Sequence, residues 1–360
     1  MKVGIFHPAL NACGGAEWVA LNMINSLKDE GHQIVVLTNE GIDNDKIFRI
    51  FGERAKVDRE IAFPFELFPV TDLHNVYTDA VRTLLLKSKC DVLIDTHSNA
   101  ILPGADITYI HFPLSGCLKT SNVSGLRAKY YFPYLSYEKR VAKSPRRLIL
   151  ANSRYTANAI RNTVGVNPKL LYPPISETFY ADHHDTHHRE DLVVSVSRIT
   201  PEKNLTVIPS IARVTNSKIH FLIVGIKQSS EELDKILRQI EVNNVSNRVE
   251  VLTNVSREGL LNILKRAKIF LHVAHGEHFG VSIVEAMASG CIPIVHNSGG
   301  PREFVPAHLR FGTLEKAAIK IEKTISDWTV QQANLSTQIA EPFSCRNFFE
   351  RFLELFRAYL

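Results

Sequence analysis

The stretch His275-Gly276-Glu277-His278-Phe279-Gly280-Val281-Ser282-Ile283-Val284-Glu285-Ala286-Met287-Ala288-Ser289-Gly290, continued by Cys291-Ile292-Pro293-Ile294-Val295-His296, decides how the rest of the chain is read. Its pattern predicts loop, helix, turn and strand. Gly276 and Gly280 break the pattern ahead of an apolar segment in which Val281, Val284 and Ala288 recur at helical spacing. Gly290 stands where a left-handed residue closes a helix. Ile292 to Val295 reads as a short buried strand, and Pro293 inside it predicts imperfect ladder pairing. Glu277 therefore falls in the loop above a helix N-terminus, and Glu285 lies on the helix itself. The unpaired N–H groups of such an end, with the dipole behind them, attract phosphate. Two acids beside an anion site make sense when they bind the uncharged parts of the ligand, its sugar hydroxyls. Without a ligand, the same residues describe an ordinary βα unit with one surface Glu and one cap.

Further βα units extend in both directions. Lys2 to Phe6 is a first strand, and Asn11-Ala12-Cys13-Gly14-Gly15-Ala16-Glu17 a glycine turn. A helix follows with Val19, Ala20, Met23, Ile24 and Leu27 on one face, then a strand from Gln33 to Thr38. Strand, glycine loop, helix and strand open a doubly wound α/β domain. G-x-G-x-x-G is absent, which disfavours a dehydrogenase, although Glu40 is the kind of acid one would need. On its own pattern Gly14-Gly15 reads as a tight βα turn. More strands are expected at Asp91–Thr96, Ile107–Phe112 and Arg147–Ser153, and Leu170 to Pro174 closes this half. A second series follows at Leu192–Ser197, His220–Val224, Val249–Leu252, Ile269–Val273 and Ile292–Val295. Helices between them, such as Glu231–Ile240 and Glu258–Ala267, argue a second parallel sheet. Between the series, Ser176 to Glu190 is polar and carries His183, His184, His187 and His188; with no Cys nearby it reads as an interdomain linker rather than a metal site.

At 360 residues, two domains are the default. A net charge of +5 suits an anionic ligand or membrane surface and is too small to argue nucleic acid. Five cysteines, scattered and without C-x-x-C spacing, suggest reduced thiols and a cytoplasmic setting. No apolar run reaches the ~18 residues needed to span a bilayer. Sequons at Asn122, Asn204, Asn244, Asn254 and Asn334 are read as chance.

Arg198 and Lys203, in Ser197-Arg198-Ile199-Thr200-Pro201-Glu202-Lys203-Asn204, leave the first strand of the second half. Cations at the carboxyl end of a parallel strand face a ligand crevice, and Arg and Lys both suit phosphate. Solvated surface cations are the plainer alternative. No D-x-D triad stands in a plausible loop, so no metal is expected. Residues 119–147 interleave Arg127, Lys129, Lys139, Arg140, Lys143, Arg146 and Arg147 with Tyr130, Tyr131, Phe132, Tyr134, Leu135 and Tyr137. That mixture fits an anionic leaflet, or a helix with an apolar core face and a solvated basic one.

Glu277 and Glu285 have the E-x7-E spacing of retaining glycosyltransferases of the GT-B fold, and the chain resembles their family 4. Glu277-His278-Phe279-Gly280 and His296-Asn297-Ser298-Gly299-Gly300-Pro301 are similar to the wording of mannosyltransferases that extend dolichol-linked oligosaccharides. The resemblance implies an α/β GT-B fold: two Rossmann-like domains with parallel sheets facing a central cleft. The divisions expected are 1–175 for an acceptor domain, 176–190 for a linker, 191–340 for a nucleotide-sugar domain, and 341–360 for a helix crossing back to the first domain. Phe348 to Leu360 is strongly apolar and suits that helix, although a cap on the second domain would read the same way. The resemblance further implies that Arg198 and Lys203 bind the donor diphosphate, Glu285 the ribose and Glu277 the transferred sugar. Backbone at Phe279, Gly280 and Val281 meets sugar and diphosphate, and Gly14 and Gly15 approach the diphosphate. His111, with His97 as its competitor, faces the reacting sugar, and Gly299, Gly300 and Glu303 form a G-G-x-x-E element at the pocket rim. The expected activity is transfer of a hexose, mannose first, from a nucleoside-diphosphate sugar such as GDP-mannose to a glycan or lipid-linked acceptor, with retention and no cofactor. The expected setting is cytoplasmic, with possible peripheral contact to a membrane through residues 119–147. A UDP-glucose or UDP-N-acetylglucosamine donor, a nucleotide-sugar epimerase or hydrolase, and a non-catalytic subunit are the alternatives; Arg198, Lys203 and Glu277 all being present counts against the last.

Overall fold

The computed structural model describes residues 1–64, 75–121, 124–180 and 189–360. They form two compact units: Met1–Pro174 with Cys345–Leu360, and Ile175–Ser344.

The first unit is built on seven parallel strands, β1 (Lys2–Phe6), β2 (Gln33–Thr38), β3 (Arg59–Ala62), β4 (Val92–Asp95), β5 (Ile107–Ile110), β6 (Leu148–Ala151) and β7 (Lys169–Leu170). Their order is β3-β2-β1-β4-β5-β6-β7. The direction of winding reverses between β1 and β4, where Val3 lies beside Ile34 on one side and Val92 on the other. Such a reversal opens a crevice at the carboxyl ends of the strands. Six helices of the first 174 residues surround the sheet: α1 (Gly15–Asp29), α2 (Asn44–Phe51), α3 (Val76–Lys87), α4 (Leu114–Thr120), α5 (Gly125–Val141) and α6 (Arg154–Thr163). β5 ends at Ile110, two residues before the sequence pattern suggests. Asn99, at φ 55°, accepts the N–H groups of His111 (2.8 Å) and Phe112 (3.2 Å) and turns the chain out of the ladder.

The second unit has six parallel strands, β8 (Glu190–Ile199), β9 (His220–Lys227), β10 (Val249–Thr253), β11 (Ala267–His272), β12 (Ile292–His296) and β13 (Arg310–Phe311), ordered β10-β9-β8-β11-β12-β13. The winding reverses again, between β8 and β11. Six more helices are α7 (Ile208–Val214), α8 (Ser230–Val242), α9 (Arg257–Arg266), α10 (Val281–Ala288), α11 (Leu314–Ser326) and α12 (Val330–Ala340). Pro293 pairs with Phe270 of β11, and on the other side β13 begins only at Val295. Gly290, at φ 84°, closes α10: its N–H donates to Met287 O and that of Cys291 to Ala286 O, both at 2.9 Å.

The described ends of the segment expected to be linker, residues 176–180 and 189–190, belong to the second unit. Phe179 is buried, its backbone N–H donates to Ser176 O at 3.1 Å, and Glu190 opens β8. The cause is apolar burial of one phenyl ring that a polar composition obscures. His183, His184, His187, His188 and the Asn122 sequon lie outside the described residues. Asn204, Asn244 and Asn254 all take left-handed φ, so turn chemistry accounts for three sequon asparagines.

The last helix, α13 (Cys345–Tyr359), is part of the first unit and packs on α1. Phe348, Phe352 and Phe356 enter the core cluster of Trp18, Met23 and Leu27. Each fully buried phenylalanine stabilises by about 1.5–3 kcal/mol, so the helix is integral to that core. α5 buries Tyr131, Tyr134 and Glu138. The Tyr134 hydroxyl donates to Glu138 (2.5 Å) and accepts from Ile101 N–H (3.2 Å), while Leu126 and Phe132 are 83% and 69% exposed. No helix among the described residues is long and apolar enough to cross a membrane. All five cysteines are free thiols.

Candidate active site

In the second unit, Arg198, Lys203, Glu277 and Glu285 all lie at or beside the carboxyl edge where the winding reverses. Arg198, next to last in β8, is an exposed side chain 3.7 Å from Glu202, a pairing of little worth in water. Pro201 opens a 3-10 turn, Pro201–Lys203, that aims Lys203 back over the edge. Lys203 Nζ donates to Glu277 Oε2 at 2.6 Å, both side chains being less than one-fifth exposed. His272, the last residue of β11, brings Nε2 to 3.2 Å from the same oxygen. The His278 N–H donates to Oε1 at 3.1 Å. Burial would raise the Glu277 carboxyl, but His272 and Lys203 override it and hold the group well below the usual carboxylate range.

The loop carrying Glu277 has a rigid backing. Gly300 N–H donates to Glu277 O at 2.7 Å. A Cβ on Gly299 would stand 2.2 Å from Glu277 O, and one on Gly300 2.1 Å from His278 O, so backbone lies directly on backbone. The glycine pair is thus a support for the loop, a role that spacing alone does not reveal. Ser298 Oγ accepts from Gly276 N–H (2.8 Å) and lies 2.7 Å from His296 Nδ1. Burial, then the neighbouring His275 and His272 rings, keep the His296 pKa low. His275 stacks on it at 3.8 Å between centroids.

Gly280, at φ 95°, turns the loop into α10, and a Cβ there would meet Ile283 Cδ1 at 2.5 Å. Phe279 is buried against Phe304 and Phe343, both at 5.4 Å between centroids, which anchors the turn. Val281 and Ser282 present the helix's first N–H groups, which have no intrahelical acceptor, whereas those of Ile283 (3.0 Å) and Val284 (3.3 Å) donate to Gly280 O. Glu285 stands one turn on. Among the described residues its carboxyl makes no hydrogen bond or ion pair; burial pushes its pKa up to about 6, with the Arg257 charge pulling the other way. A partly buried carboxyl of this kind, with no protein partner among the described residues, marks a candidate ligand site.

The first unit places other residues at its own reversal. Gly14 caps α1, and its N–H donates to Glu17 Oε2 at 2.7 Å; Gly15 begins the helix. Glu17 Oε1 faces His7 Nε2 at 3.2 Å, and His7 Nδ1 lies 2.8 Å from Thr96 Oγ1. Burial acts to raise the Glu17 carboxyl, yet His7 brings it down to about 2. His7, Glu17 and His97 offer donor atoms within 4.8 Å of one another, the spacing of a metal site. Both His7 nitrogens are already engaged, so the group reads as a tie that fixes the glycine turn. His111 Nε2 is 3.3 Å from Thr96 O, to which it donates, and its ring meets Tyr109 edge-on at 5.0 Å. Asp43-Asn44-Asp45 has D-x-D spacing, but Asp43 caps α2 at Lys46 N–H (2.9 Å) and Asp45 pairs with Arg54 (2.8 Å).

Two doubly wound parallel units, one carrying a lysine–glutamate pair and an unpaired acid one turn into the following helix, define a GT-B glycosyltransferase. The chain belongs to the group 1 glycosyltransferases: the family model "Glycosyl transferases group 1" matches residues 177–339 and that of "Glycosyltransferase Family 4" residues 13–178. It is 28% identical, over 84% of its length and 73% of the relative's, to the GDP-Man:Man(3)GlcNAc(2)-PP-Dol alpha-1,2-mannosyltransferase of Homo sapiens. The enzyme of the same description from Dictyostelium discoideum is 23% identical, over 98% of this chain and 84% of that one. In fold the chain is similar to Anabaena Alr3699/HepE, solved with UDP and glucose, at a TM-score of 0.76 and 17% identity over 99% and 100% of the two chains.

Proposed function

We propose that this glycosyltransferase moves mannose from GDP-mannose to a lipid-linked oligosaccharide, with retention at the anomeric carbon and without a metal ion. The observation that carries the donor assignment is the pairing of Lys203 with Glu277 beside an unpaired Glu285 one turn into α10. Glu285 accepts hydrogen bonds from the ribose hydroxyls, and Glu277 from the transferred sugar. N–H groups at Phe279, Gly280 and Val281 meet sugar and diphosphate. As the bond from the sugar to the diphosphate breaks, negative charge builds on the leaving group, and Arg198 and Lys203 neutralise it where other enzymes use a divalent cation. His111 and the Gly14-Gly15 turn are the first unit's proposed contributions, the former toward the reacting sugar. Mannose, guanosine and a lipid-linked acceptor are favoured by the names of the two mannosyltransferases above. The exposed Leu126 and Phe132 of α5, among Arg127, Lys129, Lys139 and Arg140, suit peripheral attachment to an anionic, cytoplasmic membrane face.

Calorimetry with GDP, UDP, GDP-mannose and UDP-glucose in EDTA tests the donor, followed by radiolabelled transfer to lipid-linked acceptors. GDP selectivity and transfer of mannose are expected. Preference for UDP would redirect the donor, and loss of binding in EDTA would refute metal independence.

A further inference from the structure

Lys203 and Glu277 are tied to each other in the ligand-free site, yet the proposed chemistry asks Lys203 to meet a diphosphate and Glu277 a sugar. A diphosphate carries more charge than one carboxylate and would draw the ammonium away. Glu277 would then be left in a site where its side chain is only 14% exposed, and a buried carboxylate without a cation takes up a proton. A neutral acid cannot accept on both oxygens as the sugar hydroxyls require.

We propose that His272 is the positioning residue that keeps Glu277 ionised and oriented while Lys203 moves to the donor. This rests on the reading of Glu277 as the sugar ligand. His272 is buried, with its side chain 5% exposed, and comes up beneath Glu277 from the end of β11. Its Nε2 approaches Oε2 at 3.2 Å without forming an aligned hydrogen bond, since Lys203 at 2.6 Å holds that oxygen. When Lys203 leaves, a small rotation of the carboxylate turns the contact into a charge-assisted hydrogen bond. The remaining titratable neighbours cannot do this. His278, which faces Glu277 from its own loop, has its pKa lowered by burial, and its backbone, not its ring, binds Oε1. His296, at the end of β12, has its Nδ1 engaged with Ser298 Oγ and its pKa lowered by burial. Arg198 is exposed and pairs with Glu202.

The test compares His272→Leu and His272→Gln, the amide of Gln reproducing the Nε2 donor. In ligand-free protein, carbon-13 NMR titration of the Glu277 carboxyl should move to higher pH in His272→Leu. In turnover, His272→Leu should lose about tenfold in kcat, with the acid limb of its pH profile raised by about one unit and GDP affinity held within about twofold. His272→Gln should restore kcat to within about threefold of the parent. A folded His272→Leu protein with unchanged kcat and acid limb overturns the proposal, as does a folded His272→Gln protein as impaired as the Leu variant. If the parent transfers no sugar from any donor, the sugar-ligand reading fails, and the NMR titration still decides whether His272 holds Glu277.

Discussion

Replacing Glu285 by Gln should stabilise the protein and disable it together. Burial raises the carboxyl from 4.5 to about 6, a shift of about 1.5 units and hence about 2 kcal/mol at 1.36 kcal/mol per unit. An acid with a raised pKa in the folded state opposes folding when ionised. The cost is therefore complete above about pH 6, shrinks as pH falls toward 4.5, and vanishes below. Glu285→Gln removes the charge with nearly the same shape, so urea unfolding at pH 7.5 should show a gain of up to about 2 kcal/mol. At about pH 3.5 the two proteins should be equally stable. A charged acceptor contributes about 1.5–3 kcal/mol per hydrogen bond, so nucleotide affinity should drop roughly 10- to 100-fold. Calorimetry with GDP and UDP measures that loss. A variant no more stable than the parent at pH 7.5, or a gain that does not change with pH, would refute the desolvation reasoning. Unchanged nucleotide affinity would remove Glu285 from the donor site.

Three further outcomes are expected. Lys203→Met should lower kcat by on the order of a hundredfold while weakening nucleotide-sugar binding far less, as steady-state kinetics and calorimetry would separate. Gly300→Ala, whose Cβ would stand 2.1 Å from His278 O, should displace the 275–281 loop, seen as faster amide exchange there, and lose activity without touching a ligand. Phe352→Ala, at a side chain 1% exposed in α13, should destabilise the first unit by about 3–5 kcal/mol in denaturant unfolding, while the second unit still binds nucleotide.

Periodicity marked the parallel strands well, because β1, β4, β5 and β11 are short apolar runs with little alternative. Glycine carried much of the turn chemistry: Gly280 and Gly290 have positive φ where the pattern breaks. Composition misled at residues 176–180, where Phe179 outweighs its polar neighbours. His272 was hidden inside the apolar strand read as Ile269–Val273, and nothing in spacing tells a core histidine from one lying under a carboxylate 5 residues on. Ser298 and the Gly299–Gly300 support were equally out of reach, since their partners lie 22 residues away at Gly276 and 23 at Glu277. Local pattern reports secondary structure; those contacts arise only when β11 and β12 are laid side by side.

The chain's last helix has a consequence for synthesis. The second unit, Ile175–Ser344, is one continuous stretch, so the whole of its core is synthesised ahead of α13. The first unit needs Phe348, Phe352 and Phe356 for its own core, and Trp18, Met23 and Leu27 stay incompletely covered until those residues emerge. Exposed apolar surface of that kind is where nascent chains aggregate or recruit chaperones. Ribosome-bound chains of residues 1–344 followed by a linker long enough to clear the exit tunnel, about 30 residues, should therefore give protease protection across 175–344 and cleavage within 1–174, and the reverse pattern would show that the opening half folds without α13.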